Sequence, residues 1–276
     1  EAGHGVTVDV RRLARQVAWF RRHPALVLLG TQARVIDRTG RPAGVLDRPQ
    51  EHVSIRWYHL FDNGFIHSTV MFRRDAARTC GGYERLLHCE DYALWSRLTL
   101  QAPVMNLAER LVDYRTNPDS VYGMLTPEEA AVSTQGSRRV IQRNLQGMFG
   151  DEAISPQEME LLSGFRWGVH RAAVEAFLEL FHRLRQRYQR VFPESRRSAD
   201  FRRTIARQYD DIAYKLSPST RRMALQVYAA GILRDPALTR SFSWPRVLAL
   251  TVLGKEGRNR VRARWAVRAA MGNGVP

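Results

Sequence analysis

His88-Cys89-Glu90-Asp91-Tyr92-Ala93-Leu94-Trp95-Ser96-Arg97-Leu98 sets an acidic pair directly against an apolar and aromatic pattern of helical spacing. Paired carboxylates at the mouth of an apolar helix suit acid–base chemistry. The helix dipole alone also favours negative charge there, so a plain cap is the competing explanation. Upstream lies a second unusual block, Asn63-Gly64-Phe65-Ile66-His67-Ser68-Thr69-Val70-Met71-Phe72-Arg73-Arg74.

Working outward, strand and helix patterns alternate up to about residue 115, as in an α/β domain. Residues 11–23 read as a helix with Leu13, Val17 and Phe20 on its apolar stripe, ended by His23-Pro24. Ala25 to Ile36 reads as a buried strand interrupted near Gly30, and Asp37-Arg38-Thr39-Gly40 as a turn. Phe65 to Phe72 is a second β-like run. Arg73-Arg74-Asp75 leads into a short helix broken by Gly81-Gly82. Tyr92 to Leu100 is helical, and Val104 to Tyr114 holds another strand.

Beyond residues 118–126, where we place the domain boundary, the texture is helical. Thr126-Pro127-Glu128-Glu129 and Ser155-Pro156-Gln157-Glu158 are capping boxes with proline at the first helical position. Val169, Ala173, Phe177, Leu180, Leu184, Tyr188 and Val191 form an apolar stripe, with Arg183, Arg187 and Arg190 off it. Further helices are expected near 199–216, 220–233, 244–253 and 257–270.

The 276 residues, 44% of them hydrophobic, can bury a core, which argues against disorder of the whole chain. No apolar run reaches the ~18 residues of a membrane span, and no secretory signal is visible. Cys80 and Cys89 form no CxxC pair and have no zinc-ligand spacing. Two free thiols in a reducing, cytosolic setting are the simplest reading. His88-Cys89 is a poor nucleophile pair, because adjacent helical residues point different ways. Residues 1–120 hold 17 basic and 13 acidic residues, and residues 121–276 hold 26 and 14, so +12 of the net +16 lies in the second part. All basic residues except Lys215 and Lys255 are arginine. Such charge attracts anionic partners, whether lipid, glycan or nucleic acid. With no nucleic-acid-binding motif, nucleic acid is the weakest of these.

The helix ended by His23-Pro24, the strand near Gly30 and Val35-Ile36-Asp37-x-x-Gly40 resemble the family 2 glycosyltransferases of the GT-A fold. So do Asn63 to Arg74 followed by Gly81-Gly82-Tyr83, and Tyr114-Arg115 followed by Asn117-Pro118-x-Ser120-Val121. Glu90-Asp91-Tyr92-x-Leu94-Trp95-x-Arg97-Leu98 is the most specific part. The resemblance spans roughly residues 9–121. It implies an α/β, partial GT-A domain at 1–121, the acceptor-side half, followed by a mostly α-helical, arginine-rich region at 122–276.

The activity implied is inverting transfer of a sugar from a nucleotide-diphosphate donor to an acceptor hydroxyl on a glycan or lipid-linked intermediate. A hydroxyl is a poor nucleophile near neutral pH, so a carboxylate must take its proton. Asp91 stands where the family carries that base. Glu90, His67, Asn63, Arg73, Trp95 and Arg115 are the expected substrate-binding residues. Plainer structural roles compete for several of them: a satisfied core histidine at His67, a core Trp95 and solvated arginines. A complete enzyme of this kind would use a divalent cation, Mn or Mg, on an Asp-x-Asp motif. Here Val6-Thr7-Val8-Asp9-Val10-Arg11-Arg12 stands at that place with no Asp-x-Asp, so no metal ligands are expected in this chain. Asn117 replaces a frequent family histidine. With Glu1 opening the chain, we expect a donor-binding half to be missing, and no binding of nucleotide sugars by this chain alone. The alternative reading is a non-catalytic basic helical module docking to an anionic membrane surface or a partner protein. The expected location is the cytoplasm, peripheral to the inner membrane face.

Overall fold

Leu28–Ile36 buries almost every residue on both faces, the signature of a central strand covered on both sides. This strand, β2, organises the first unit of the protein. The computed structural model describes residues 7–115, 126–150, 154–164, 173–216, 221–244, 247 and 251–252. The chain forms two compact units, one comprising residues up to Gly147 and the other Met148–Arg264.

The first unit contains β1 (Thr7–Val8), α1 (Arg12–Arg22), β2, β3 (Pro42–Leu46), α2 (His52–Tyr58), β4 (Met71–Phe72), α3 (Arg74–Thr79), α4 (Glu90–Gln101) and β5 (Val104–Arg115). Most of α5 (Pro127–Phe149) belongs with them. The sheet order is β1-β5-β2-β3, and β4 also pairs with β2. Among the described strands only β2 and β5 pair in parallel. Helix α4 is capped by Ala102, and the chain turns straight into β5, which is the crossover that a parallel pair requires. The core of the unit joins Leu28, Val27 and Val104 of the sheet region to Ile55, Phe65, Leu94, Trp95 and Leu98.

Strand β2 passes through Gly30 without a break, although its register against β5 shifts beyond that residue. A Cβ at Gly30 would lie 2.1 Å from Asn106 Oδ1 and 2.9 Å from Phe65 Cδ1, so close approach is what demands glycine there. The turn at Asp37 forms as expected, its carboxylate accepting from the N–H groups of Thr39 and Arg41.

Two expectations are corrected. Phe65 to Phe72 is not a strand through most of its length, because a 3-10 turn occupies His67–Thr69 and only Met71–Phe72 pairs. The buried Thr69 hydroxyl donates to the Ile66 carbonyl and accepts from the Thr31 N–H, which outcompetes ladder pairing. In α1 the periodic stripe is only partly turned inward: Leu13 and Val17 are 56% and 39% exposed, while Phe20 packs against Leu26, Leu29 and Leu107. The buried residue is Gln16, whose amide donates to the Leu29 and Thr69 carbonyls at 2.9 Å each. These two hydrogen bonds fix that side of the helix against β2 and the turn at Thr69.

The second unit contains α6 (Pro156–Gly164), α7 (Val174–Val191), α8 (Ala199–Leu216) and α9 (Arg221–Arg234). Phe177, Leu180, Leu184 and Tyr188 of the predicted stripe are buried, and Tyr188 stacks on Phe201 with ring centroids 5.6 Å apart. That face is therefore used in helix packing and is not free to enter a membrane. Val169 and the helix expected at 257–270 lie outside the described residues. No helix among the described residues is long and apolar enough to cross a membrane.

Both capping boxes form. Ser155 N donates to Glu158 Oε2 at 2.7 Å, and Glu158 N to Ser155 Oγ at 3.2 Å. Ser155→Ala is expected to cost about 1 kcal/mol, read from the chemical denaturation midpoint.

Candidate active site

The Gly81-Gly82 break, the left-handed His88 (φ 59) and the N-terminus of α4 together aim the acidic pair. A non-glycine residue at positive φ is costly, and here it sits in the turn that delivers Glu90 and Asp91 to the helix mouth. Asp91 is held from three sides. Its Oδ2 accepts from Asn63 Nδ2 at 3.0 Å and lies 3.3 Å from His67 Nδ1. Its Oδ1 accepts from the Tyr92 N–H at 2.6 Å. The carboxylate is 15% exposed, while His67 is open to solvent.

Asn63 is itself locked. Its Oδ1 accepts from the Phe65 N–H at 3.1 Å, which fixes which end of the amide faces Asp91. Asn106 of β5 holds the same loop, donating to the Gly64 and Pro49 carbonyls. The sheet thus positions the residue that positions the carboxylate.

The Asp91 hydrogen bond, helped by the charges of Asp91 and Glu90, raises the His67 pKa above its ordinary 6.5, while partial burial opposes this. A raised pKa means that the protonated, paired form is fully present below pH ~6.5 and is lost as pH climbs through the raised value. An NMR titration should therefore show His67 titrating above 6.5, and Asp91→Asn should bring it back toward that value. An unchanged midpoint would show that the pair is not formed in solution.

Trp95, expected at the substrate surface, is instead 1% exposed and packs beneath the site, touching His67, Phe72 and Tyr83 by ring edges or at a tilt. Its faces are consumed by the core, so it cannot serve as a sugar platform. The exposed aromatic is Tyr83, whose hydroxyl pKa is raised by partial burial and by Asp91 and Glu90. It follows the two left-handed glycines and is fixed on both sides. The Gly82 carbonyl accepts from Arg97, and Glu84 pairs with Arg97 and with Arg143 of α5. The sequence draws the eye to Gly81-Gly82-Tyr83, but nothing in it marks Tyr83 as a site residue.

Arg73 and Arg115 are not brought to Asp91. Arg73 donates to the Leu26 and Phe20 carbonyls and lies over the Phe20 ring, fastening the end of α1. Arg115 donates to the Asp37 and Arg38 carbonyls. Both arginines satisfy backbone carbonyls, a structural use of the guanidinium fork. The tail motif at Asn117 to Val121 lies outside the described residues.

His67, Glu90 and Asp91 place one donor atom each within 4.8 Å of one another, a grouping that spacing along the chain did not suggest. It does not fit the expected cation well. Each Asp91 oxygen already accepts an N–H, His67 Nδ1 is turned onto Asp91, and Mg prefers an all-oxygen set.

No family model matches the chain. Part of the chain is similar to curated glycosyltransferases. One is the amylovoran biosynthesis glycosyltransferase AmsE of Erwinia amylovora, 34% identical over 112 residues, which is 40% of this chain and 41% of the relative. Another is the O-antigen biosynthesis glycosyltransferase WbnJ of Escherichia coli, 33% identical over 112 residues, 40% of this chain and 43% of the relative. An uncharacterized glycosyltransferase of Haemophilus influenzae is 32% identical over 103 residues, 37% of this chain and 38% of the relative. The chain spans less than half the length of these relatives.

Proposed function

We propose that the first unit carries the acceptor-activating end of an inverting, family 2 (GT-A) glycosyltransferase, with Asp91 as general base. The observation that supports this most is the Asp91 carboxylate at the mouth of α4, oriented by Asn63 and ion-paired with His67. The acceptor oxygen attacks the anomeric carbon, its proton passes to the Asp91 carboxylate, and the bond to the diphosphate breaks with the nucleoside diphosphate as leaving group. Asn63 and the Tyr92 N–H stabilise the ionised carboxylate and hold it in one rotamer. Tyr83 and Glu90 flank the place where an acceptor sugar would lie.

The relatives' names speak of amylovoran and O-antigen biosynthesis, and a glycan or lipid-linked acceptor is the acceptor class we assign. The donor is a nucleotide-diphosphate sugar. Cys80 and Cys89 are free thiols, in keeping with a cytoplasmic setting, which we extend to the inner membrane face. Sugar transfer measured with nucleotide-sugar donors, in a transfer-competent chain, tests the reading. Asp91→Asn should remove transfer and leave donor binding intact; near-normal transfer in that variant would overturn the base assignment.

A further inference from the structure

The helical unit contains a cavity of about 460 Å³ walled by Arg196, Arg202, Arg203 and Arg240, with Asp235 as its one acidic lining residue. Asp235 adds little negative charge to it. Its Oδ2 accepts from the buried Arg185 at 2.5 Å, and its Oδ1 from the Ala237 N–H at 3.1 Å. Arg203 stands 3.5 Å from the buried Asp200 and is partly compensated. Arg196, Arg202 and Arg240 make no ion pair with any described residue. Arg202 is oriented by donating to the Arg196 carbonyl at 3.1 Å, which ties the 3-10 turn Pro193–Arg196 to the first turn of α8.

Guanidinium groups lining one concavity repel each other, and a bound anion relieves that repulsion, most strongly at low salt. Their planar forks match phosphate oxygens two at a time. The neutral lining residues Gln189 and Ser241 supply further hydrogen-bonding groups. The volume falls within the range of small-ligand pockets and exceeds the needs of a simple ion.

We propose that this cavity binds a phosphorylated ligand, either a free phosphate-bearing small molecule or the phosphate headgroup of a membrane lipid. The site is independent of Asp91 and lies in the other unit.

The test uses the purified chain, inorganic pyrophosphate and calorimetry at low salt. Arg196→Gln/Arg240→Gln is compared with Arg21→Gln/Arg78→Gln, which removes the same charge from exposed arginines of the first unit. Saturable one-to-one binding is expected, weakened about tenfold or more by the first pair and little by the second. Both arginines of each pair are exposed, and unchanged melting without ligand verifies the fold. No saturable binding, or equal loss in both variants, would overturn the proposal. Flotation with phosphatidylcholine vesicles, with and without phosphatidylglycerol, separates the two sources. Capture on the anionic vesicles alone, released by pyrophosphate and lost in the first variant, assigns a lipid headgroup. Pyrophosphate binding without vesicle capture assigns a free ligand.

Discussion

Asp91→Asn is expected to lower sugar transfer by roughly 10²–10⁴-fold in a transfer-competent chain, the usual contribution of a positioned general base. The amide nearly matches the carboxylate in shape but has no basic oxygen to take the acceptor proton. It also has one acceptor oxygen where Asp91 has two. Tyr92 N–H and Asn63 Nδ2 both donate to residue 91, and Asn63 cannot flip without losing its bond to the Phe65 N–H. One donor is then left facing an N–H, so a stability loss of about 1 kcal/mol accompanies the variant. Melting measured beside activity keeps the two effects apart. Glu90→Gln provides the contrast, because none of those hydrogen bonds runs through Glu90. A larger rate loss in Glu90→Gln than in Asp91→Asn would move the base to Glu90.

Trp95→Ala is expected to destabilise the protein by about 3–5 kcal/mol, as when a large aromatic is deleted from a core. The ring is fully enclosed among Leu94, Leu98, Phe65 and Val27, and nothing nearby can collapse into the space without moving the α4–β2 contact. Denaturant titration measures it. Trp95→Phe keeps most of the volume and should cost much less. If Trp95 were a sugar platform, stability would change little and acceptor affinity would fall instead, the opposite of what its burial requires.

Local chemistry made much of the protein legible in its sequence. The capping boxes at Thr126 and Ser155 form because their partners lie three residues apart, and the turn at Asp37-Gly40 closes on its own carboxylate. Helix α1 ends where His23-Pro24 ends it, and Gly81 and Gly82 adopt the left-handed backbone that stops α3. The acidic pair at a helix start was legible for the same reason, since dipole and adjacency act within one turn.

Other features depended on residues far apart in the chain. The burial of Gln16 in α1 escapes its periodicity because its carbonyl partners lie in β2 and at Thr69, more than ten residues away. Trp95 is buried and Tyr83 exposed because exposure is set by what packs above each ring, here Phe72 and His67 over Trp95. Arg73 and Arg115 are cations whose charge is visible in any reading, yet their carbonyl partners exist only once α1 and the turn at Asp37 are in place. By itself, the sequence determined most of the elements, the two capping boxes and the place of the acidic pair. Only the tertiary structure decided that Asn63 and His67 converge on Asp91 and that four arginines share one cavity. Hydrogen bonds and charge clusters between distant residues have no period along the chain, and folding alone creates them.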